Sequence, residues 1–400
     1  MNRRELLLLG LMICFTLALL WPTLSRVTFV QSGGDEGFYL HYASRIAQEG
    51  LRAFPRLFQE YRANIATWQY FPSPTRVLTI LFGAASVRLT GAVFGSLQAL
   101  SLVSFLALLV VVYLGLRRSA GLRVAVWTTL LLCVSPLHLA MARRALADSF
   151  IATLAVVYVF LFLRALEAGP RALRAWGLAA AALLAALLAR EGAAALIPIS
   201  LILVILLGGR TTLKPWPVCA VSVVPLAAAA AVIILAAGGA APAWHVLSAS
   251  VASPATNSYA IHYGSGPWFR YVLDFLLISP WSTLLYLLWL GCCVVDPPKN
   301  KTIIGWTLLP VLFVVCAACL TKNVRYALLL ETPIRLGAIL LLQRAIPARW
   351  GDWKKQGALG FAILALMWFD LQTFHHLFLE DEIYDPVTVL LLRARHLLPR

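Results

Sequence analysis

The chain has 400 residues, 61% of them hydrophobic and only 12% charged, with a mean hydropathy of +0.84. Apolar runs of about twenty residues recur along its whole length, which excludes a single soluble core and defines an all-α polytopic membrane protein. The formal charge of +16 sits mostly between those runs, where Lys and Arg orient helices or meet anionic lipids, so membrane lipids and not nucleic acid are the expected contacts.

The first run, residues 6–24, follows Arg3 and Arg4 and is long enough to span a bilayer. No small-residue cleavage site follows it, so it reads as a retained signal anchor. Residues 25–92 then alternate short amphipathic patterns, such as "EGFYLHYASRIAQEG" and "LRAFPRLFQEYRANI", with Pro and Gly breaks. That pattern predicts helices lying on the membrane surface. Within this segment residues 74–89 form an apolar stretch with Arg76 and Arg88 near its ends, short for a span and suited to the interface. Further spans are predicted at 93–116, 122–140, 149–166, 172–189, 193–209, 215–237, 270–295, 302–320, 324–346 and 355–373, about eleven in all with the first. With a cytoplasmic N-terminus, the basic loops at 117–123, 164–174, 208–214, 296–301 and 344–355 all face the cytoplasm, as the positive-inside rule requires. Residues 25–92, 142–148, 189–192, 238–269, 321–326 and the tail 374–400 then face outward. One transmembrane unit, residues 1–373, is expected, with no internal repeat and no separate soluble domain. The seven cysteines all fall inside apolar runs and read as small buried hydrophobes. The pair Cys316-x-x-Cys319 therefore carries little weight for metal or redox chemistry, and no disulfide framework is indicated.

The outward segments hold the ionisable residues that invite a chemical reading. Asp35 and Glu36 follow the Gly33-Gly34 pair and open an amphipathic helix, where an acidic first turn also suits the helix dipole. Asp148 opens the fourth span in "MARRALADSF" and has the same capping alternative. Arg143, Arg144, Arg190, Lys322 and Arg325 occupy very short turns on the same side. Each alone reads as a snorkelling residue, yet outer loops are normally poor in Lys and Arg. Together they predict a site where an anionic group such as a phosphate meets a proton acceptor. The outward side shows no His or Cys cluster, so no metal centre is read there.

Five stretches carry a resemblance: "DEGFYLHYASRIAQEG" after the first span, "ARRALADSFIATLAVVYVFLFLRA" at the fourth, "LLAREGAAALIPISLILVILL" across the fifth-to-sixth turn, "SGPWFRYVLDFLLISPW" entering the eighth and "KNVRYALLLETPIRL" entering the tenth. In this order and spacing, over about residues 1–346, they resemble the GT-C fold integral membrane glycosyltransferases, in particular the group of protein O-mannosyltransferases and the lipid A aminoarabinose transferase. The resemblance implies a polyprenyl-phosphate-linked sugar donor and a lipid, glycan or protein acceptor. It implies direct inverting displacement on the extracytoplasmic face, in a bacterial inner membrane. It makes Asp35 the general base on the acceptor hydroxyl, with Glu36 beside it and Asp148 orienting a cation or the acceptor. Arg325, Lys322 and Arg190 become the donor-phosphate ligands, and Tyr39, Arg143, His262, Trp268 and Tyr326 line the substrate side.

The sequence also departs from that group. In "FPSPTR" (71–76) Ser73 stands where a Lys-Pro lysine is usual, leaving Arg76 to substitute. In "REG" Glu191 replaces a cation and Arg190 supplies one a residue earlier. The resemblance implies no cofactor, although other GT-C enzymes place a divalent cation between acidic residues and the lipid phosphate. A transporter or flippase of lipid-linked sugars, or an inactive assembly subunit on the same fold, are the alternatives.

Overall fold

The computed structural model describes residues 3–24, 34–208, 214–256, 261, 264, 266–317, 322–347 and 350–394, and these contain helices and turns but no strand. The first helix, α1 (Arg3–Leu24), is followed by four shorter ones: α2 (Asp35–Glu49), α3 (Phe54–Ala63), α4 (Ile65–Trp68) and α5 (Val77–Thr90). Helix α2 starts on its two acidic residues and stops at Gly50, whose φ of 73° is a conformation that glycine adopts without strain. Its buried face, Tyr42 and Ile46, joins Leu57, Phe58, Tyr61 and Ile80 of α3 and α5 in a satellite core. The 14 residues of α5 reach about 21 Å, short of the roughly 30 Å hydrocarbon layer.

Then come α6 (Phe94–Ser119), α7 (Leu122–Cys133), α8 (Pro136–Ala142), α9 (Asp148–Ala168), α10 (Leu173–Ala189), α11 (Leu196–Gly208), α12 (Pro215–Ala220) and α13 (Val223–Ala237). After α14 (Ala240–Thr256) follow α15 (Arg270–Ile278), α16 (Pro280–Val295), α17 (Lys301–Cys316), α18 (Glu331–Ala345), α19 (Asp352–Thr373) and α20 (Pro386–Ala394). Among the described residues seven helical segments are long and apolar enough to cross a membrane, and the α7–α8 pair, bent by 59°, makes an eighth. The shorter apolar helices α10, α16 and α17 occupy the remaining expected spans.

The breaks differ from uniform spans. The stretch expected as one helix at 270–295 divides at Ser279, because Pro280 lacks an N–H and biases the preceding residue away from the α conformation. Residues 324–330 form a 3₁₀ turn before α18, and α19 continues through a π-helical turn, Phe374–Glu380, past the expected end at 373. Most of residues 238–269, expected as an outer loop, is the helix α14.

Close helix approach rests on glycine. A Cβ on Gly337 would sit 2.6 Å from the Tyr286 ring of α16, and one on Gly305 2.3 Å from Leu163 of α9. A fully buried Arg335 pins four parts together. It donates to Asp370 (2.8 Å), Ser279 Oγ (3.0 Å), the Leu131 carbonyl (3.2 Å) and Glu331.

The two ends of the bundle are built differently. At one end Arg117 pairs with Glu5 (3.0 Å), Asn300 donates to the Ser119 carbonyl (2.7 Å) and Arg344 pairs with Asp296 (2.8 Å), among the basic loops. The other end gathers α2, the α8–α9 turn, Arg190 and the 3₁₀ turn at 324–330.

Candidate active site

At that second end a cavity of about 480 Å³ opens between α2, the loop 69–76, the N-terminus of α9, the turn after α10 and the 3₁₀ turn at 324–330. Its polar wall holds three guanidiniums and three carboxylates, paired one to one. Each is set in place by a local feature of the chain.

Pro72 and Pro74 keep residues 71–76 out of a helix, and Tyr42 Oη fixes that loop by donating to the Pro72 carbonyl (3.0 Å). Arg76, immediately before α5, is thereby aimed at Glu191, to which its Nη2 (2.6 Å) and Nε (3.1 Å) donate, while its Nη1 donates to Tyr39 Oη. Arg190 is extended (φ −164°, ψ 134°) between α10 and the following turn. Its Nη1 donates to Asp148 Oδ1 (2.9 Å), and its guanidinium lies 3.7 Å from the centre of the Tyr326 ring, a short cation–π contact. Asn323 caps the 3₁₀ turn by accepting from the Arg325 N–H (3.2 Å). Arg325 Nη2 then donates to Asp35 Oδ2 at 2.7 Å. The Arg325 Nε is buried without a partner among the described residues, and the guanidinium lies 5.3 Å from the centre of the Tyr326 ring.

Burial opposes ionisation of Asp35, but the charge and hydrogen bond of Arg325, with Arg76 and Arg190 behind it, outweigh that and hold the carboxyl below its ordinary range. Burial pushes the Tyr39 hydroxyl up, so it stays protonated. The opposite wall is apolar, with Ile151, Ala152, Ala155, Phe313 and Leu328. Three carboxylates already satisfied by guanidiniums make a poor cation cage. Guanidinium forks match a phosphate bidentately once a carboxylate gives one up.

Asp35, Tyr39, Arg76, Asp148, Arg190, Arg325 and Tyr326, all singled out from sequence, line this one cavity. Others sit elsewhere. Glu36, 2% exposed, turns toward the α8–α9 turn and accepts from Arg144 Nε (2.5 Å) and the Ala145 N–H (3.2 Å). Arg143 donates to the Thr23 carbonyl (3.0 Å) and the Phe378 carbonyl (3.4 Å), tying α1 to the π turn. Lys322 is buried and donates through Nζ to the Gly266 carbonyl (3.1 Å), while its N–H donates to Gly264 O (2.6 Å). Trp268, 58% exposed, does not reach the cavity. His262, Tyr263 and Cys319 lie outside the described residues.

Sequence reasoning missed three features. Glu191, read as a lost cation, is the partner of Arg76. Tyr271 and the rim residues Gln69 and Tyr70 also face the cavity, and the aromatic-rich "WQYF" was the signal for the latter two. The reading that this side holds no His cluster is corrected by His375, His376 and Glu380, whose ligand atoms lie within 4.8 Å of one another. His376 and Glu380 have ordinary i,i+4 spacing, but His375 stands five positions from Glu380, outside α-helical periodicity, so the three did not read as one group.

A helical membrane bundle with surface helices over a charged cavity at one end is the GT-C fold of integral membrane glycosyltransferases, as comparison with solved structures shows. The archaeal oligosaccharyltransferase of Archaeoglobus fulgidus, tethered with an acceptor peptide containing the NVT sequon, superposes with a TM-score of 0.60 over 93% of this chain at 14% identity. The same enzyme, AglB, in complex with an inhibitory peptide and a dolichol-phosphate gives 0.56 over 93% at 14% identity. The present chain corresponds to 55% of those chains, so it spans just over half their length. No family model and no curated protein matches the sequence.

Proposed function

We propose that this protein is a glycosyltransferase that moves a sugar from a polyprenyl-phosphate donor to an acceptor hydroxyl at the extracytoplasmic face of the plasma membrane, with inversion. The observation that carries the reading is the Asp35–Arg325 pair (2.7 Å), which sets a proton acceptor beside a phosphate-binding fork in a cavity with one apolar wall. The acceptor oxygen attacks the anomeric carbon and passes its proton to Asp35 as the new C–O bond forms. The bond from that carbon to the phosphate oxygen breaks, and the lipid phosphate leaves with the electron pair. Arg325, with Arg190 behind it, meets the growing charge.

Asp35 already occupies Arg325, so the donor phosphate displaces the carboxylate from the guanidinium. The freed carboxylate is the stronger base, and proton acceptance is thereby coupled to donor binding. Asp148 and Tyr326 position Arg190, while Glu191 and Tyr39 hold Arg76 at the donor side. The dolichol-phosphate and peptide bound by the archaeal relative support a lipid-phosphate donor and a protein acceptor. A lipid or glycan hydroxyl would reach the same carboxylate. The basic loops gathered at the opposite end support an outward-facing cavity.

The test is single-turnover transfer from a labelled polyprenyl-phosphate sugar by purified protein in nanodiscs. Asp35→Asn should lower the rate by about a hundredfold to ten-thousandfold while leaving the lipid phosphate bound. A variant with near-normal turnover would remove Asp35 from the role of base.

A further inference from the structure

The π turn Phe374–Glu380 shows two unlike faces. Its buried residues, Phe374 and Phe378, pack inward, where the Phe378 carbonyl accepts from Arg143 (3.4 Å) and its ring meets Tyr384 at 5.7 Å. On its outer face His375, His376 and Glu380 are exposed. His376 Nδ1 lies 2.5 Å from Glu380 Oε2 and His375 Nδ1 lies 3.2 Å from Oε1, so both imidazoles aim the same nitrogen at one carboxylate.

An ordinary α-helix brings positions four apart together, which explains His376 and Glu380. Positions five apart would stand about 140° round the helix, at roughly 100° per residue. The wider turn, with its i→i+5 bonding, returns His375 to the same side. Such turns are rare and recur at functional sites. Convergence of three ligands and the local π geometry are thus two separate observations on one feature.

We propose that this turn binds one divalent transition-metal ion, with Zn²⁺ the best match, through Nδ1 of His375, Nδ1 of His376 and the Glu380 carboxylate. Two imidazoles and a carboxylate are the borderline donors that zinc and its neighbours take, whereas Mg²⁺ and Ca²⁺ want oxygen alone. The exposed position leaves the remaining coordination site to water.

None of the three ligands lines the catalytic cavity, so the ion serves the chain's path and not the transfer step. Directly after the turn the backbone doubles back, with the Asp381 N–H donating to His376 O (3.0 Å) and the Ile383 N–H to Leu377 O (2.6 Å). It then leads into α20, where Arg270 donates to Asp385 (3.1 Å) and Thr388 (2.7 Å). Arg270 neighbours Tyr271 of the cavity wall. A metal fixing the turn would hold this return segment against the cavity end of the bundle.

The experiment uses full-length, tag-free protein in nanodiscs, with Zn²⁺ measured by equilibrium dialysis and Co²⁺ by its visible absorption. One ion per chain is expected, with affinity at least about tenfold weaker in His375→Ala, His376→Ala and Glu380→Gln. Zn²⁺ should also slow limited proteolysis within residues 381–394 of the wild type and leave that of the variants unchanged. Glu380→Gln keeps the side-chain shape, so its monodisperse elution separates lost binding from misfolding. Non-saturable uptake, or equal binding in all three variants, would overturn the site. Stoichiometric binding with no protection of 381–394 would overturn the clamping role.

Discussion

Arg325 and Asp35 meet across one hydrogen bond, yet their loss should read out differently. Removing the guanidinium in Arg325→Ala takes away a charge-assisted contact of about 1.5 to 3 kcal/mol, so polyprenyl-phosphate affinity should fall by roughly one to two powers of ten. Arg325→Lys should recover only part of it, since an ammonium lacks the planar fork. Asp35→Asn removes a competitor for that fork, and phosphate binding measured by calorimetry should tighten; weaker binding would show that the two groups do not exchange partners. Proton uptake gives a second check. The folded pKa of Asp35 lies below its ordinary 3.8, so the ion pair contributes its stability above that value and loses it as pH falls through the lower one. Phosphate that takes Arg325 away returns the carboxyl toward its ordinary range. Binding of a phosphodiester-linked donor near pH 4 should therefore take up a fraction of a proton in wild type that Asp35→Asn does not, and neither should take up any at pH 7.

The apolar runs located the spanning helices because twenty consecutive hydrophobic residues admit little else, and α5 was set apart by its length. Breaks within helices were less legible. Pro280 marked one, but the 3₁₀ turn at 324–330 and the π turn at 374–380 follow from tertiary contacts that leave no periodic trace. The same limit governs the site. Sequence places a charged residue at one end of a span, but not its rotation about the helix axis or its partner across the bundle. Arg190 and Arg325 thus proved to face the cavity, whereas Arg143, Glu36 and Lys322, equally conspicuous in the sequence, tie one chain segment to another. Buried charge inside the spans makes a prediction of its own. Arg335→Ala would strand Glu331 and Asp370 without a cation and should cost about 3–5 kcal/mol, seen as a lowered thermal midpoint in detergent. Combining Arg335→Met with Glu331→Gln and Asp370→Asn should restore most of it, because the uncompensated charges then go as well.

For the molecule as a whole, the two ends of the bundle should prove to be the two sides of the membrane. A membrane-impermeant maleimide applied to intact cells should label Asp381→Cys and spare Lys299→Cys until the membrane is opened; the reverse pattern would invert the topology. The long reach of the Asp35–Arg325 contact has a further consequence, for biogenesis. The partners are 290 residues apart in the chain, and every other charged pair of the cavity also joins separate chain segments. At about 5 to 20 residues per second, Asp35 emerges from the ribosome roughly 15 to 60 s before Arg325 is made. Throughout that interval Asp35 lacks its Arg325 partner, although Arg144 can already meet Glu36, and the cavity lacks the 3₁₀ turn. On the proposed mechanism, the cavity therefore gains its last guanidinium only when the segment opening α18 inserts.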